Sequence, residues 1–381
     1  MTPQGPLAGI RVVEVASLAP APFGCMVLAD LGAEVLRIDR AGSSAAITPP
    51  AGPLDRGRRT VAVDLKDPEG LALVRELAAG ADVFVEGFRP GVAERLGIGP
   101  DDLLALNERL VYARMTGWGQ DGPLAHTAGH DINYIALAGV LQPIARQGER
   151  PLPPLNLLGD FAGGGLLMAF GILAALLERN RSGRGQVVDA AMVDGASLFT
   201  AFMRGMHAVG LWQEEPGTNA LDGGAAFYDT YECADGGHVA VGCVEPQFFA
   251  QLLAGLDLKE DEDLPYYVDP RGWDAWRGRI AARFRTRTRA EWAEVFAASD
   301  ACVTPVLSPW EAHDHPHAVA RGSFVEIDGV IQPAPAPRFS RTPAAPPAAA
   351  DHGGRDVVST LADWGIGPDR ARSLIASEAI A

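Results

Sequence analysis

The sequence predicts an α/β fold: a large domain on an open parallel sheet, followed by a smaller α+β domain. Three observations carry this. Short β-branched runs alternate with helix-periodic runs from Ile10 to Met115, the signature of βαβ units. The texture changes at Gly223, where two strands meet through an Asp235-Gly236 turn. At 381 residues and 48% hydrophobic, the chain is long enough for two cores.

Taken in order, IRVVEVAS (Ile10–Ser17) is a buried strand. PAPFGCMVLADLG is a helix entered through proline and closed by Gly32. AEVLRID (Ala33–Asp39) is the next strand. Thr60–Leu65 and Asp82–Glu86 are strands, succeeded by the helices Pro68–Ala79 and Asp101–Asn107 respectively, and Leu110–Met115 is a further strand. The result is a Rossmann-like, helix-flanked sheet. A loop spans Gly119–Ala128, and a helix begins near His130. PLPPLN leads into GDFAGGG and an apolar helix, Gly163–Leu177, short for a membrane span and read as buried. GQVVDAAMVDGASLF gives a short strand and another helix.

Residues 1–200 are thus the large domain, rejoined by 321–381. Residues 201–222 lack periodicity and are expected to be a linker. The small domain is expected at 223–320. There Pro246 suits a first helical position with Glu245 as N-cap. Trp273–Phe284 and Arg289–Ser299 are amphipathic helices, and ACVTPVL is a strand. Tyr228, Tyr231, Phe248 and Phe249 read as core. Gln332–Ala350 is a Pro/Ala-rich tether, and Arg355–Trp364 and Pro368–Ser377 are terminal helices.

A net charge of −16 argues against a nucleic-acid or anionic-membrane partner. Local arginines can still hold an anionic small ligand. Arg40 follows the second strand, and Arg56, Arg58 and Arg59 precede the third; they are either a phosphate nest or solvated surface charge. The four cysteines form no CxxC pair, and the N-terminus has no secretory pattern, so a reduced, cytoplasmic protein without a zinc site is expected. The His313/His315/His317 tract reads as surface loop. The first strand–helix turn, SLAPAPFG, is not GxGxxG, which argues against a nicotinamide dinucleotide. No P-loop or GxSxG elbow occurs.

Two groups able to carry protons, His130 and Asp160, lie thirty residues apart, each beside glycine. His130 at a helix start is either a neutral base or a ring satisfied by a backbone carbonyl. Asp160, among apolar neighbours, is either a carboxyl of raised pKa or the N-cap of the following helix. Glu245 is either an N-cap or a partner that orients His130. Backbone N–H groups near Gly129–Asp131 are candidates for stabilising an oxyanion.

MTGWGQDGPLAHTAGHDINY, PLNLLGDFAGGG, GQVVDAAMVDG, LDGGAAFYDTYECADGGHVAVG, EPQFF and DACVTPVL resemble the α-methylacyl-CoA racemases of the family III CoA-transferase superfamily. The likeness runs from about residue 5 to 342. It departs around Ser43–Gly57, leaving Arg56 and Arg58 open as ligand contacts. The resemblance implies an interlocked homodimer, each active site lying between the large CoA-binding domain of one chain and the small domain of the other. It implies that His130 and Asp160 are the two catalytic bases and that Glu245 supports the histidine. Arg40, the Val63, Asp64, Leu65, Lys66 segment, and Gly129, Asp131, Ile132, Asn133 and Tyr134 would contact CoA, which is part of the substrate and not a cofactor. The implied reaction inverts 2-methylacyl-CoA thioesters by α-proton exchange through an enolate. Branched fatty acyl, sterol side-chain and arylpropionyl groups all remain open. The alternatives are a CoA-transferase working through an acyl-aspartyl intermediate at Asp160, and a non-enzymatic acyl-CoA-binding protein.

Overall fold

The computed structural model describes residues 4–41, 52–259, 263–350 and 356–381. The divergent loop is therefore described only from residue 52 onward, and Arg355 lies outside the described residues. The chain divides into two compact units: residues 1–138, 155–199 and 319–381, and residues 139–154 and 200–318.

The first unit contains β1 (Arg11–Val15), α1 (Pro20–Asp30), β2 (Glu34–Arg40), β3 (Arg58–Val63), α2 (Pro68–Ala79) and β4 (Val83–Glu86). It continues with α3 (Val92–Leu96), α4 (Pro100–Leu106), β5 (Val111–Thr116), α5 (Asp131–Leu137), α6 (Leu167–Ser182), β6 (Val187–Ala191) and α7 (Met192–Leu198). A π-helical segment, Leu157–Leu166, runs directly into α6.

The six strands form one sheet, ordered β3-β2-β1-β4-β5-β6, with every pair parallel. Both faces are buried, as a parallel sheet requires. Val13, Val15, Phe84 and Tyr112 point to one core, with α2 residues Leu73 and Leu77. Val12, Val83, Val85 and Val111 point to the other, with Leu28 of α1 and Met168 and Ile172 of α6. The strand order reverses beside β1, between β2 and β4. The crevice outside the carboxyl ends of such strands is where ligands bind in sheets of this kind.

The chain's end completes this unit. A hairpin, β10 (Phe324–Ile327) and β11 (Val330–Pro333), stands where the tether was expected to begin. Its Asp328-Gly329 turn places Gly329 at φ 78°, and Gln332 is buried against Arg56. Helices α13 (Val357–Asp363) and α14 (Pro368–Ala376) add Leu361, Trp364 and Leu374 to the first core. The last residues pair with the outer edge of β3: the Asp64 amide donates to Ala379 O at 3.0 Å, and the Ala381 amide to Ala62 O at 2.9 Å.

The second unit holds an antiparallel sheet, β7 (Tyr228–Glu232), β8 (His238–Gly242) and β9 (Val303–Pro305). It also contains α8 (Ala201–Ala208), α9 (Pro246–Gly255), α10 (Trp273–Phe284), α11 (Arg289–Phe296) and α12 (Pro316–Arg321), whose last turn falls in the first unit. Its core is aromatic: Phe249 stacks on Tyr267 with ring centroids 4.2 Å apart, and Trp276, Phe284 and Trp292 pack around them. Tyr231 and Phe249 are buried as expected, but Tyr228 is exposed, because alternate residues of β7 face outward. Residues 201–222 are part of this unit instead of a linker to it. Their helix α8 buries no side chain, so no core-facing run marks it in the sequence.

Candidate active site

Three exposed cations stand on the segments that follow β2, β3 and β4. Arg40 ends β2 and pairs in register with Val63 at the end of β3. Neither Arg40 nor Arg89, just past β4, has a side-chain partner among the described residues. Past β3, the Asp64 carboxylate accepts the Lys66 amide at 2.9 Å, which fixes the turn and leaves Lys66 exposed. The loop carrying Arg89 is tied down beneath. Glu86 accepts the Phe88 amide at 2.6 Å, and Arg114 donates to both Glu86 (3.0 Å) and Glu94 (2.8 Å). Burial pushes the Glu86 carboxyl up to about 7 despite those donors.

The other three arginines proposed for a phosphate nest lie at the amino end of β3 and are already paired. Arg56 holds Asp30 in a buried bidentate contact at 3.0 and 2.5 Å. Arg58 is buried against Glu14 at 2.5 Å, and Arg59 meets Asp363 at 2.6 Å. The phosphate-nest interpretation therefore survives only for Arg40. A parallel sheet puts the start of β3 at the opposite edge from the end of β2.

His130 is the N-cap of α5, with extended backbone (φ −133°, ψ 173°). Its amide donates to Asn133 Oδ1 at 3.0 Å, so the main chain is fixed while the imidazole stays exposed. No carbonyl takes up the ring among the described residues. The neighbouring side chains hold this turn together. Tyr134 packs edge-on to Trp118 with centroids 4.8 Å apart, and its hydroxyl donates to Gly129 O. A Cβ at Gly117 would lie 2.1 Å from the Tyr134 ring, so glycine is obligatory there. The side chains of Asp131, Asn133 and Tyr134 are thus engaged within the protein. Only the backbone of this stretch and the exposed Ile132 are left to face a ligand.

Asp160 is the fourth residue of the π-helical segment; the N-cap is Asn156. The capping role considered for Asp160 is not what the structure shows. Instead Asn156, one turn earlier, donates to Asp160 Oδ2 at 3.0 Å. Burial raises the Asp160 pKa above the ordinary carboxyl value; the Asn156 hydrogen bond opposes this, the Asp131 charge adds to it, and His130 opposes it. The wide π turn is anchored by close backbone approach: a Cβ at Gly163 would lie 2.7 Å from Ala196 N of α7, and one at Gly165 2.3 Å from Pro20 O of α1. Such turns recur at functional sites.

Asp131 ties the segment of His130 to that of Asp160. It follows His130 in the chain, and its Oδ2 accepts the Gly159 amide at 2.6 Å and the Asp160 amide at 2.8 Å. The structure therefore brings His130 and Asp160 into one neighbourhood. Asn156 and Arg89 were not singled out from the sequence. Asn156 has the helical i, i+4 spacing to Asp160, a signal usable once the helix is started at 156 instead of 163. Arg89 sits one loop beyond a strand at the sheet's switch point.

In the second unit Glu245 is the N-cap of α9 by position, but its side chain caps nothing. It is exposed and has no side-chain partner among the described residues. Among the described residues no group of three or more His, Cys, Asp or Glu side chains is arranged to hold a metal.

The CoA-transferase family III model matches residues 7–356. Alpha-methylacyl-CoA racemase of Mus musculus is 49% identical over 371 residues, covering 97% of this chain and 96% of the relative. The Homo sapiens protein of the same name is 49% identical over 341 residues, covering 89% and 88%. Among solved structures, a CAIB/BAIF family protein from Brucella suis superposes with a TM-score of 0.80 at 26% identity, covering 95% of this chain and all of that one.

Proposed function

The chain belongs to CoA-transferase family III, and on that premise we propose that it is a racemase of 2-methylacyl-CoA thioesters. The observation that carries the proposal is the pairing of His130 and Asp160 through Asp131, in a chain 49% identical to two alpha-methylacyl-CoA racemases. One of the pair removes the α-proton and the other returns a proton to the opposite face, inverting the centre. An α-proton of a thioester is weakly acidic, so the enolate needs hydrogen-bond donors as it forms. The open amides of Asp131 and Ile132, in the first turn of α5, are the donors we assign to the thioester oxygen. A carboxyl with raised pKa suits Asp160 to exchange protons near neutrality. The reaction asks for no cofactor, since CoA is the substrate's own handle. Arg40, Lys66 and the Val63–Lys66 and Gly129–Tyr134 backbones would hold it, and that remote binding energy orients the small reacting centre.

We further assign the active molecule to an interlocked homodimer, with Glu245 orienting His130 of the partner subunit. Glu245's unpaired, exposed carboxylate supports this. So does α6, which packs Met168, Ile172 and Leu176 inward and leaves Phe170 and Leu177 exposed, with Leu166 just before it exposed as well. The helical stretch Leu157–Ser182 is long and apolar enough to cross a membrane. Its inner face is already committed to the sheet, so a second copy is the cover that fits. Four free cysteines suit a reducing cytoplasm.

The test is deuterium wash-in from D₂O at the α-carbon of each enantiomer of a 2-methylacyl-CoA. Incorporation with inversion is expected from both. Transfer of CoA to a free acid, with no α-exchange, would assign the chain to the transferases instead.

A further inference from the structure

We propose that Asp131 is a positioning residue that sets the separation of the two proton carriers, through its carboxylate bonds to the backbone bearing Asp160. The kinetic part rests on the racemase reading above; the geometric part does not.

The side chain is 5% exposed, yet it spans 28 and 29 residues of sequence to reach the Gly159 and Asp160 amides at 2.6 and 2.8 Å. No other hydrogen bond among the described residues joins the His130–Leu137 turn and helix to the π-helical segment. Both bonds are charge-assisted, the shorter and stronger class. Gly159 is shaped to them, since a Cβ there would sit 2.6 Å from Asp131 Oδ2 and 2.9 Å from its Cγ. The remaining oxygen, Oδ1, is buried without a partner, so the carboxylate's charge is little compensated beyond those two amides.

A purely structural acceptor at this position could be an asparagine. A carboxylate adds something an amide does not: negative charge beside Asp160. The groups that face Asp160 are Asp131, His130, the Asn156 amide and the Tyr134 hydroxyl, and of these Asp131 works with burial to favour the protonated acid. One residue would therefore fix both where the acid stands and how readily it keeps its proton.

The experiment uses the full-length protein, wild type, Asp131→Asn and Asp131→Ala, with melting temperature as the folding control. Deuterium incorporation into a 2-methylacyl-CoA is followed against pH. For Asp131→Asn, which keeps an acceptor, kcat should fall about tenfold with KM little changed. The acid limb of its pH profile should move down, because the charge that favours protonated Asp160 has gone. For Asp131→Ala, kcat should fall by on the order of 100-fold, the scale of a small misplacement of reacting groups. A second readout needs no turnover: amide hydrogen exchange at Gly159 and Asp160, followed by mass spectrometry, should quicken markedly in Asp131→Ala and modestly in Asp131→Asn. Unchanged exchange at those amides would overturn the positioning role, and so would an acid limb that stays put in Asp131→Asn. If wild type itself shows no α-exchange, the racemase reading fails, while the amide exchange still decides whether Asp131 ties the two segments together.

Discussion

Gly159→Ala sets two physical effects of opposite sign against each other. Gly159 lies in a helical segment and its φ is not in the left-handed region, so backbone propensity alone predicts that alanine stabilises the protein by up to about 1 kcal/mol. The structure predicts the reverse. The new Cβ would lie 2.6 Å from Asp131 Oδ2, about 0.8 Å inside the 3.4 Å at which ordinary contact begins. Moving the carboxylate back by that much stretches the 2.6 and 2.8 Å bonds beyond hydrogen-bonding range. Bonds to a charged acceptor contribute about 1.5–3 kcal/mol each, and the donors left behind are buried or half-buried. Set against the propensity gain, the net loss is about 2–5 kcal/mol. In a chain this long that lowers the melting temperature by several degrees. Differential scanning fluorimetry of wild type and variant, at one protein concentration and pH, measures it. A melting temperature equal to or above wild type would refute the reasoning, since it would mean that the carboxylate yields at no cost.

Arg40 and Arg56 should separate binding from stability. Arg40→Ala is expected to raise the KM for an acyl-CoA about tenfold while leaving the melt unchanged. Arg56→Ala, which strands the buried Asp30 carboxylate, should cost about 3–5 kcal/mol in denaturant unfolding and leave KM alone. Asp160→Asn should lower racemisation at least 100-fold yet stabilise the fold at neutral pH. The native Asp160 pKa is raised, so its ionised form is disfavoured on folding. That handicap is absent below the unfolded carboxyl pKa and grows as pH rises through the interval up to the native one. The stabilisation of the variant should therefore vanish in acid, and a variant equally stabilised at low pH would contradict this. Deleting residues 377–381 removes buried Ala379 and Ile380 and the acceptor of the Asp64 amide. Both the melting temperature and acyl-CoA affinity should fall, as measured by fluorimetry and by KM.

The large sheet was legible because a parallel strand buried on both faces is a continuous apolar run. Every such run from Ile10 to Met115 became a strand, within two residues of its expected ends. The β10–β11 hairpin was not, although Asp328-Gly329 is a strong turn signal. QPAPAP follows it, and proline argues against a strand unless, as for Pro333, it closes one at the sheet's end. The grouping of 139–154 with the second unit has no local signature at all. At the site, the glycines beside His130 and Asp160 pointed to close approach, and both positions are closely approached. Charge alone was a poorer guide. Four arginines looked alike in sequence, and only parallel register sorts the unpaired Arg40 from the three committed to Asp30, Glu14 and Asp363.

GHDINY reads as a ligand motif, yet three of its side chains are spent on holding the protein together. Asn133 fixes the His130 amide, Tyr134 locks Gly129, and Asp131 reaches across to Gly159 and Asp160. The motif is a scaffold that leaves two side groups free, the His130 imidazole and the apolar Ile132. That bears on the choice between the two chemistries open to this family. A nucleophilic aspartate for acyl transfer needs an ionised oxygen kept ready to attack. Asp160 stands half-buried beside another carboxylate, surroundings that favour holding a proton. A proton carrier needs that affinity, together with a second group able to take the proton on the other face. On the proposed reading Asp160 has that affinity and His130 is the second group. The same framework with a non-basic residue at 130 would retain every backbone tie described here and lose only the inversion. On the proposed reading, the chemistry that separates racemase from transferase would reside in one exposed ring, and the residues around it keep the backbone that bears it in place.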